Sequence, residues 1–181
     1  MATPRAVLIG PPGSGKSTVA ARLAHDWGVA ARDTDEDVVA ASGREIADIF
    51  VESGEEAFRA LERAAVVAAL GTHDGVLALG GGAVLDPATQ ADLREYGARG
   101  GAVVLLNVRL ATAARRVGLA KSRPLLAGSP REAWARLTEE RRATYESLAT
   151  LIVETDGLSP RDIAASIVRA LGADTSEGGT A

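Results

Sequence analysis

Residues 10 to 17 read Gly-Pro-Pro-Gly-Ser-Gly-Lys-Ser, the G-x-x-x-x-G-K-[ST] spacing that cradles a polyphosphate. Glycines let successive backbone N–H groups turn inward around phosphate oxygens, and a helix starting near Lys16 adds its positive dipole end. The nucleotide-binding set is then Gly13, Ser14, Gly15, Lys16, Ser17 and Thr18. Lys16 is placed to reach the β- and γ-phosphates, and the Ser17 hydroxyl to ligate Mg²⁺. The flanks agree. Arg5 to Ile9 is a short, largely apolar run ending in glycine, as a buried strand would. Residues 16 to 27 carry Val19, Ala20, Leu23 and Ala24 at helical spacing that stops at Gly28. A glycine-rich turn matching by accident is the competing reading. However, only two of the 20 basic residues are lysine, and one of them stands where the chemistry needs it. A nucleoside triphosphate site follows.

The metal and the phosphoryl acceptor need further residues. The run Val76-Leu77-Ala78-Leu79 ends in Gly80-Gly81-Gly82, with no acid where many nucleotide hydrolases carry a metal-side carboxylate. Mg²⁺ still requires carboxylate help, directly or through water. Asp33 and Asp35 are the candidates, following a short strand expected near 29–31. Alternation along an extended segment puts both carboxylates on one side, one toward the metal and one toward an acceptor hydroxyl. The rival reading makes Asp33 a turn cap and puts Asp35, Glu36 and Asp37 in the acidic first turn of a helix. The missing acid after residue 79 tips the balance toward function.

Three glycines at the end of a central strand can be a flexible exit, or can let a ligand meet bare backbone N–H groups; the ligand reading is favoured. Arg59 lies three residues before Glu62 and could form an ordinary surface pair with it. Arg141 is harder to dismiss. Trp134, Leu137, Arg141, Tyr145 and Leu148 share a helical stripe, so a guanidinium sits on an otherwise apolar face and needs an internal acid or a bound anion. Its planar fork suits a carboxylate. Residues 118–128, bracketed by glycines and interrupted by Pro124, read as a hinged lid. Closure would exclude water and bring Arg123 to the transferring phosphate; an idle surface loop is the alternative.

Elements that position these residues are legible. Asp86-Pro87, Ser129-Pro130 and Ser159-Pro160 each set a capping side chain before a proline at the first helical position. Apolar runs at 76–79, 102–106 and 151–153 alternate with helical patterns at 46–50, 55–70, 87–96, 111–117, 130–148 and 160–171. Alternating strands and helices predict a three-layer α/β/α fold: a central parallel sheet of about five strands, with the phosphate-loop strand in the middle. The expected organisation is a single domain over 1–171, with a small helical insert near 33–62 and the lid. Residues 172–181 lack apolar side chains enough to pack and are expected to be disordered.

Composition narrows the class. The net charge of −4 over 181 residues offers no basic footprint for nucleic acid or anionic membrane. Cysteine is absent, which removes disulfides and thiolate metal sites, and two isolated histidines are too few for a metal cluster. No apolar run approaches a membrane span, and no signal-like start precedes the first strand. A soluble, cytoplasmic protein is expected, with monomer the default.

Taken in order, these motifs resemble shikimate kinase, within the nucleoside monophosphate kinase-like P-loop group, over roughly residues 5–171. They are the P-loop; Asp33-Thr34-Asp35; Gly43-Arg44-Glu45-Ile46-Ala47-Asp48-Ile49-Phe50; Gly54-Glu55-Glu56-Ala57-Phe58-Arg59-Ala60-Leu61-Glu62; Gly80-Gly81-Gly82-Ala83-Val84; Arg123-Pro124-Leu125-Leu126; and Arg141-x-x-x-Tyr145. The resemblance implies ATP-dependent phosphorylation of the shikimate 3-hydroxyl. It implies that Arg59 and Arg141 clamp the substrate carboxylate, and that Asp35 holds the ring hydroxyls and orients, or acts as base toward, the attacking 3-hydroxyl. Gly80, Gly81 and Gly82 would contact substrate through backbone, with Phe50 and Phe58 walling the ring. Asp33 would support Mg²⁺ through water, Arg116 would lie over adenine, and Arg123 would reach the phosphates. Departures are Pro11-Pro12 in the P-loop, Val38-Val39 where Ile-Glu is usual, and Ala143-Thr144 before Tyr145. The alternatives are a gluconate-type acid kinase, which shares the nucleotide half, and a non-catalytic nucleotide-binding regulator, which would be expected to lose Lys16 or Asp35. An adenylate kinase is disfavoured by the absence of an Asp-Gly-Phe-Pro-Arg stretch.

Overall fold

The computed structural model describes residues 3–116 and 130–177. Five strands form one sheet in the order β2-β3-β1-β4-β5, every pairing parallel: β1 (Ala6–Ile9), β2 (Ala31–Asp33), β3 (Val76–Ala78), β4 (Val103–Asn107) and β5 (Leu151–Glu154). β1 is central, as expected, in register Val7↔Leu77 on one side and Val7↔Val103 on the other. Its four residues are all buried, because a parallel strand covered on both faces has no solvent side to populate with polar residues.

Helices cover both faces. On one, α1 (Lys16–Trp27) and α7 (Pro160–Glu177) press Val19, Leu23, Ile163 and Ile167 against Leu8 and Val104. On the other, α3 (Ile46–Thr72), α4 (Pro87–Ala98) and α6 (Pro130–Leu148) set Val66, Leu93, Tyr145 and Leu148 against Val7, Ile9 and Leu77. α2 (Thr34–Ser42) joins α3, from both sides of its break, in a smaller cluster of Val38, Ile49 and Phe58. α5 (Leu110–Arg116) completes the set, with Ala113 packed on Val108 and Trp134.

The caps explain where helices begin. Asp86 accepts from the Thr89 amide at 2.8 Å with Pro87 next to it, and Ser159 and Asp162 form a reciprocal box at the start of α7. Ser129 lies outside the described residues. The two helical patterns at 46–50 and 55–70 are the halves of α3, broken at Gly54, whose φ of 82° and ψ of 172° no other residue type adopts readily. Two expectations need correction. The second strand lies at 31–33 rather than 29–31, and α7 stays helical through Glu177, past the expected end at 171.

Candidate active site

The loop between β1 and α1 wraps the carboxyl end of the central strand. Gly10 has a φ of 144°, and a Cβ there would stand 2.7 Å from the Leu106 carbonyl oxygen, so only glycine fits. Gly15 is the left-handed N-cap of α1, with no side chain over the helix end. Lys16 curls back, its Nζ donating to the carbonyls of Gly10 at 2.9 Å and Pro11 at 3.2 Å. Burial lowers its pKa to about 8, against the opposing pull of Asp35 and Asp33. A cavity of about 650 Å³ opens over the loop, lined by Gly13, Lys16, Ser17, Asp33, Asp35 and Gly81 among others.

Asp33 caps the helix that follows it, as the rival reading had it, and also reaches the phosphate loop. Its Oδ1 accepts from the Asp35 amide at 2.9 Å and caps α2, while its Oδ2 accepts from Ser17 Oγ at 2.5 Å. Asp35 is therefore not part of an extended segment; it opens the first turn of α2 with Glu36 and Asp37. It still reaches the cavity, because the helix starts beside the end of β3. Thr34, fully buried between the two acids, accepts from the Gly80 amide at 2.9 Å and ties that start to the glycine run. Burial, then the neighbouring charge of Asp33, raises the Asp35 pKa to about 6, with Lys16 opposing. A carboxylate so tuned can take up a proton near neutrality.

The glycine run owes its composition to close packing as much as to any ligand. A Cβ on Gly80 would meet the Asp35 carboxylate and stand 2.8 Å from Glu62 Oε1. One on Gly82 would collide with the Arg59 guanidinium, and one on Gly81 would come within 3.1 Å of the Pro12 ring. The expectation of bare amides does not hold at Gly80, whose N–H goes to Thr34.

Arg59 does pair with Glu62, at 2.7 Å, but Glu62 is only 3% exposed, so this is no ordinary surface pair. Glu55 holds the other edge of the guanidinium at 3.0 Å. Burial raises the Glu62 pKa, while Arg59 and then Arg141 pull it down. Arg141 Nη1 donates to the Gly81 carbonyl at 3.2 Å, and the Tyr145 hydroxyl donates to the same oxygen at 2.5 Å. Both arginines thus converge on the Gly80–Gly82 turn, beside the cavity that holds Asp35. Leu137, in the expected apolar stripe, is 37% exposed; Trp134, Tyr145 and Leu148 are buried. Phe50 and Phe58 stack with centroids 4.6 Å apart, Phe58 buried and Phe50 half-exposed.

The structure brings together Gly13, Ser14, Gly15, Lys16, Ser17, Thr18, Asp33, Asp35 and Gly81 in one cavity. Arg59, Arg141 and Gly82 sit immediately beside it. Arg116 closes α5, and Arg123 with the rest of 118–128 lies outside the described residues. Two residues gained parts that the sequence reading had not given them. Thr34 could have been found, since alternation turns it away from both acids into the core. Glu62 was named only as a surface partner of Arg59, and no local pattern signals its burial.

A glycine-rich phosphate loop on the central strand of a 2-3-1-4-5 parallel sheet, with a tuned carboxylate across the cavity from its lysine, defines a P-loop phosphotransferase. The shikimate kinase family model matches residues 12–172. Relatives named shikimate kinase include one from Streptomyces avermitilis, 52% identical over 94% of this chain and 97% of its own length. Another, from Thermobifida fusca, is 51% identical over 93% and 95%. A shikimate kinase from Acinetobacter baumannii, solved in complex with shikimate, superposes with a TM-score of 0.87 at 29% identity, covering 96% of this chain and 95% of that one. A gluconokinase from Sinorhizobium meliloti, at 19% identity and a TM-score of 0.59, shares the fold alone. The chain belongs to the shikimate kinase family, transferases that use ATP to phosphorylate shikimate.

Proposed function

We propose that this chain moves the γ-phosphoryl group of ATP to the 3-hydroxyl of shikimate, with Asp35 as the base and the P-loop as the donor site. The observation that carries the assignment of roles is Asp35, raised to a pKa of about 6, in one cavity with Lys16 and Ser17. The 3-hydroxyl oxygen attacks the γ-phosphorus as the bond to the β,γ-bridging oxygen breaks. The hydroxyl proton passes to Asp35, and ADP leaves with the bridging oxygen. Lys16 offsets charge on the phosphates, and backbone N–H groups of the loop hold them in line. Arg59 and Arg141 grip the substrate carboxylate. Arg59 is pre-aimed by Glu62 and Glu55, so less side-chain freedom is lost on binding. Phe50 and Phe58 form the apolar wall.

Ser17 Oγ and Asp33 Oδ2 stand side by side, a hard-oxygen pair that fits Mg²⁺ and would hold it, Asp33 directly or through water. When bound there, the ion neutralises charge on the β- and γ-phosphates. We assign Arg116 to adenine and Arg123 to the transferring phosphate by family resemblance. We further infer a cytoplasmic monomer without nucleic-acid or membrane partners. The absence of cysteine, the net charge of −4 and a self-contained core support that reading. Among the described residues no helix is long and apolar enough to cross a membrane.

ADP release with shikimate, gluconate or AMP offered separately tests the assignment. Turnover should require shikimate. Turnover with gluconate and none with shikimate would move the chain to the sugar-acid kinases, and none with any acceptor would favour a regulator.

A further inference from the structure

Trp134 is an aromatic residue that the mechanism does not use, yet it touches the nucleotide cradle. Its indole is 8% exposed, bedded on Val108 and Ala113 with Leu110 alongside. From that bed its Nε1–H reaches across to the Pro12 carbonyl at 2.9 Å. An indole N–H can only donate, so the direction of this bond is fixed.

The geometry of one peptide plane gives that bond a consequence. The Pro12–Gly13 peptide is trans, as every peptide in the described residues is. In a trans plane the carbonyl and the following N–H point in opposite directions. Drawing the Pro12 oxygen toward Trp134 therefore turns the Gly13 N–H the other way, and Gly13 lines the cavity. The position matters more here than in most such loops. Pro11 and Pro12 carry no N–H, and the Ser14 amide closes a turn onto Pro11 O at 3.2 Å. After Gly10, Gly13 supplies the first amide of the loop, and among the described residues it has no backbone or side-chain acceptor. Gly13 also has a φ of 80°, a conformation that glycine tolerates but does not enforce. An outside hold on its peptide plane thus has something to decide.

We propose that Trp134 is a positioning residue for the nucleotide: it fixes the Pro12–Gly13 peptide so that the Gly13 N–H presents to the polyphosphate. This rests on the P-loop being the ATP site, as argued above. The hold comes from α6, which also carries Arg141 to the acceptor side, but Trp134 acts on the donor side only.

Trp134→Phe removes the N–H and keeps a ring in the bed. Calorimetry should show its Kd for Mg·ADP raised by about fivefold to tenfold, the worth of one ordinary hydrogen bond, because the Gly13 N–H is misdirected rather than removed. KM for ATP should rise with it, while Kd for shikimate without nucleotide and the thermal midpoint stay near wild type. Wild-type affinity for Mg·ADP in this variant overturns the proposal and leaves the P-loop reading intact. Equal losses for Mg·ADP and shikimate with a lowered midpoint also overturn it, since they describe packing alone. If wild-type protein itself fails to bind Mg·ADP, the underlying site assignment falls instead. Should Trp134→Phe not fold, the wild-type protein still decides. Hydrogen exchange at the Trp134 indole N–H should slow when Mg·ADP saturates the site, and an unchanged rate contradicts the coupling.

Discussion

Replacing Asp35 with asparagine should stabilise the ligand-free, metal-free protein near neutrality and leave it almost unchanged in acid. The carboxyl is pushed from 3.8 to about 6 by burial and by Asp33. Below 3.8 it is protonated in folded and unfolded chains alike, and burial carries no charge penalty. Between 3.8 and about 6 the unfolded chain releases its proton first, so folding loses stability as pH rises. Above about 6 the penalty is complete. The gap corresponds to about 3 kcal/mol near pH 7.5, at ~1.36 kcal/mol per pH unit, and to only about 0.5 kcal/mol near pH 4. Asparagine is nearly isosteric and uncharged, so the variant should recover most of this. For a chain of this size that is roughly 6–12 °C in Tm. Thermal and urea unfolding in EDTA at both pH values provide the assay. Equal stabilities near neutrality, or a gain that persists undiminished in acid, would refute the electrostatic account of the site. The trade is familiar in form: a group kept uncomfortable in the resting protein because its task lies in the reaction.

The remaining predictions concern the reaction. Asp35→Asn should lower kcat by about 10²–10⁴ with little change in Kd for ATP. In the wild type, kcat/KM for shikimate should climb with pH to a plateau above about 6; a flat profile from acid to neutral would remove Asp35 as the base. Arg141→Ala should raise KM for shikimate by roughly tenfold or more while sparing KM for ATP. An analogue lacking the carboxylate should not notice the change, and an unchanged KM for shikimate would make Arg141 an internal partner of Gly81 and Glu62 only. Gly82→Ala should push the Arg59 guanidinium off Glu62, lowering stability because that buried carboxylate loses its partner, and should weaken shikimate binding as well. Wild-type affinity would show that Arg59 is not aimed by this contact.

Much of this was legible in the sequence because local rules and global fold agree. The octet at 10–17, the Asp86-Pro87 and Ser159-Pro160 caps and the apolar strands each carry their own physical signature: the octet forms a loop into α1, both caps form, and the runs at 76–79 and 102–106 are buried, while the edge strand leaves Ile152 half-exposed. The Asp33–Asp35 pair was harder. Strand alternation and helix capping both fit the letters, and the structure combines them: the strand ends on Asp33, which caps the helix whose first turn holds Asp35. Only the register of β2 beside β3, set by long-range pairing, decides where extension stops. The same limit hid the packing of the glycine run. That Gly80 faces Asp35 and Glu62 while Gly82 faces Arg59 depends on elements far apart in the chain, which no local pattern encodes. The hold of Trp134 on Pro12 spans the molecule in the same way.

A crystal structure of the protein with Mg·ADP and shikimate together tests the central claim most directly. The account predicts the substrate 3-hydroxyl within hydrogen-bond distance of the Asp35 carboxylate, and the substrate carboxylate bracketed by Arg59 and Arg141 beside the Gly80–Gly82 turn. A shikimate whose 3-hydroxyl turns away from Asp35, or whose carboxylate meets neither arginine, would contradict it.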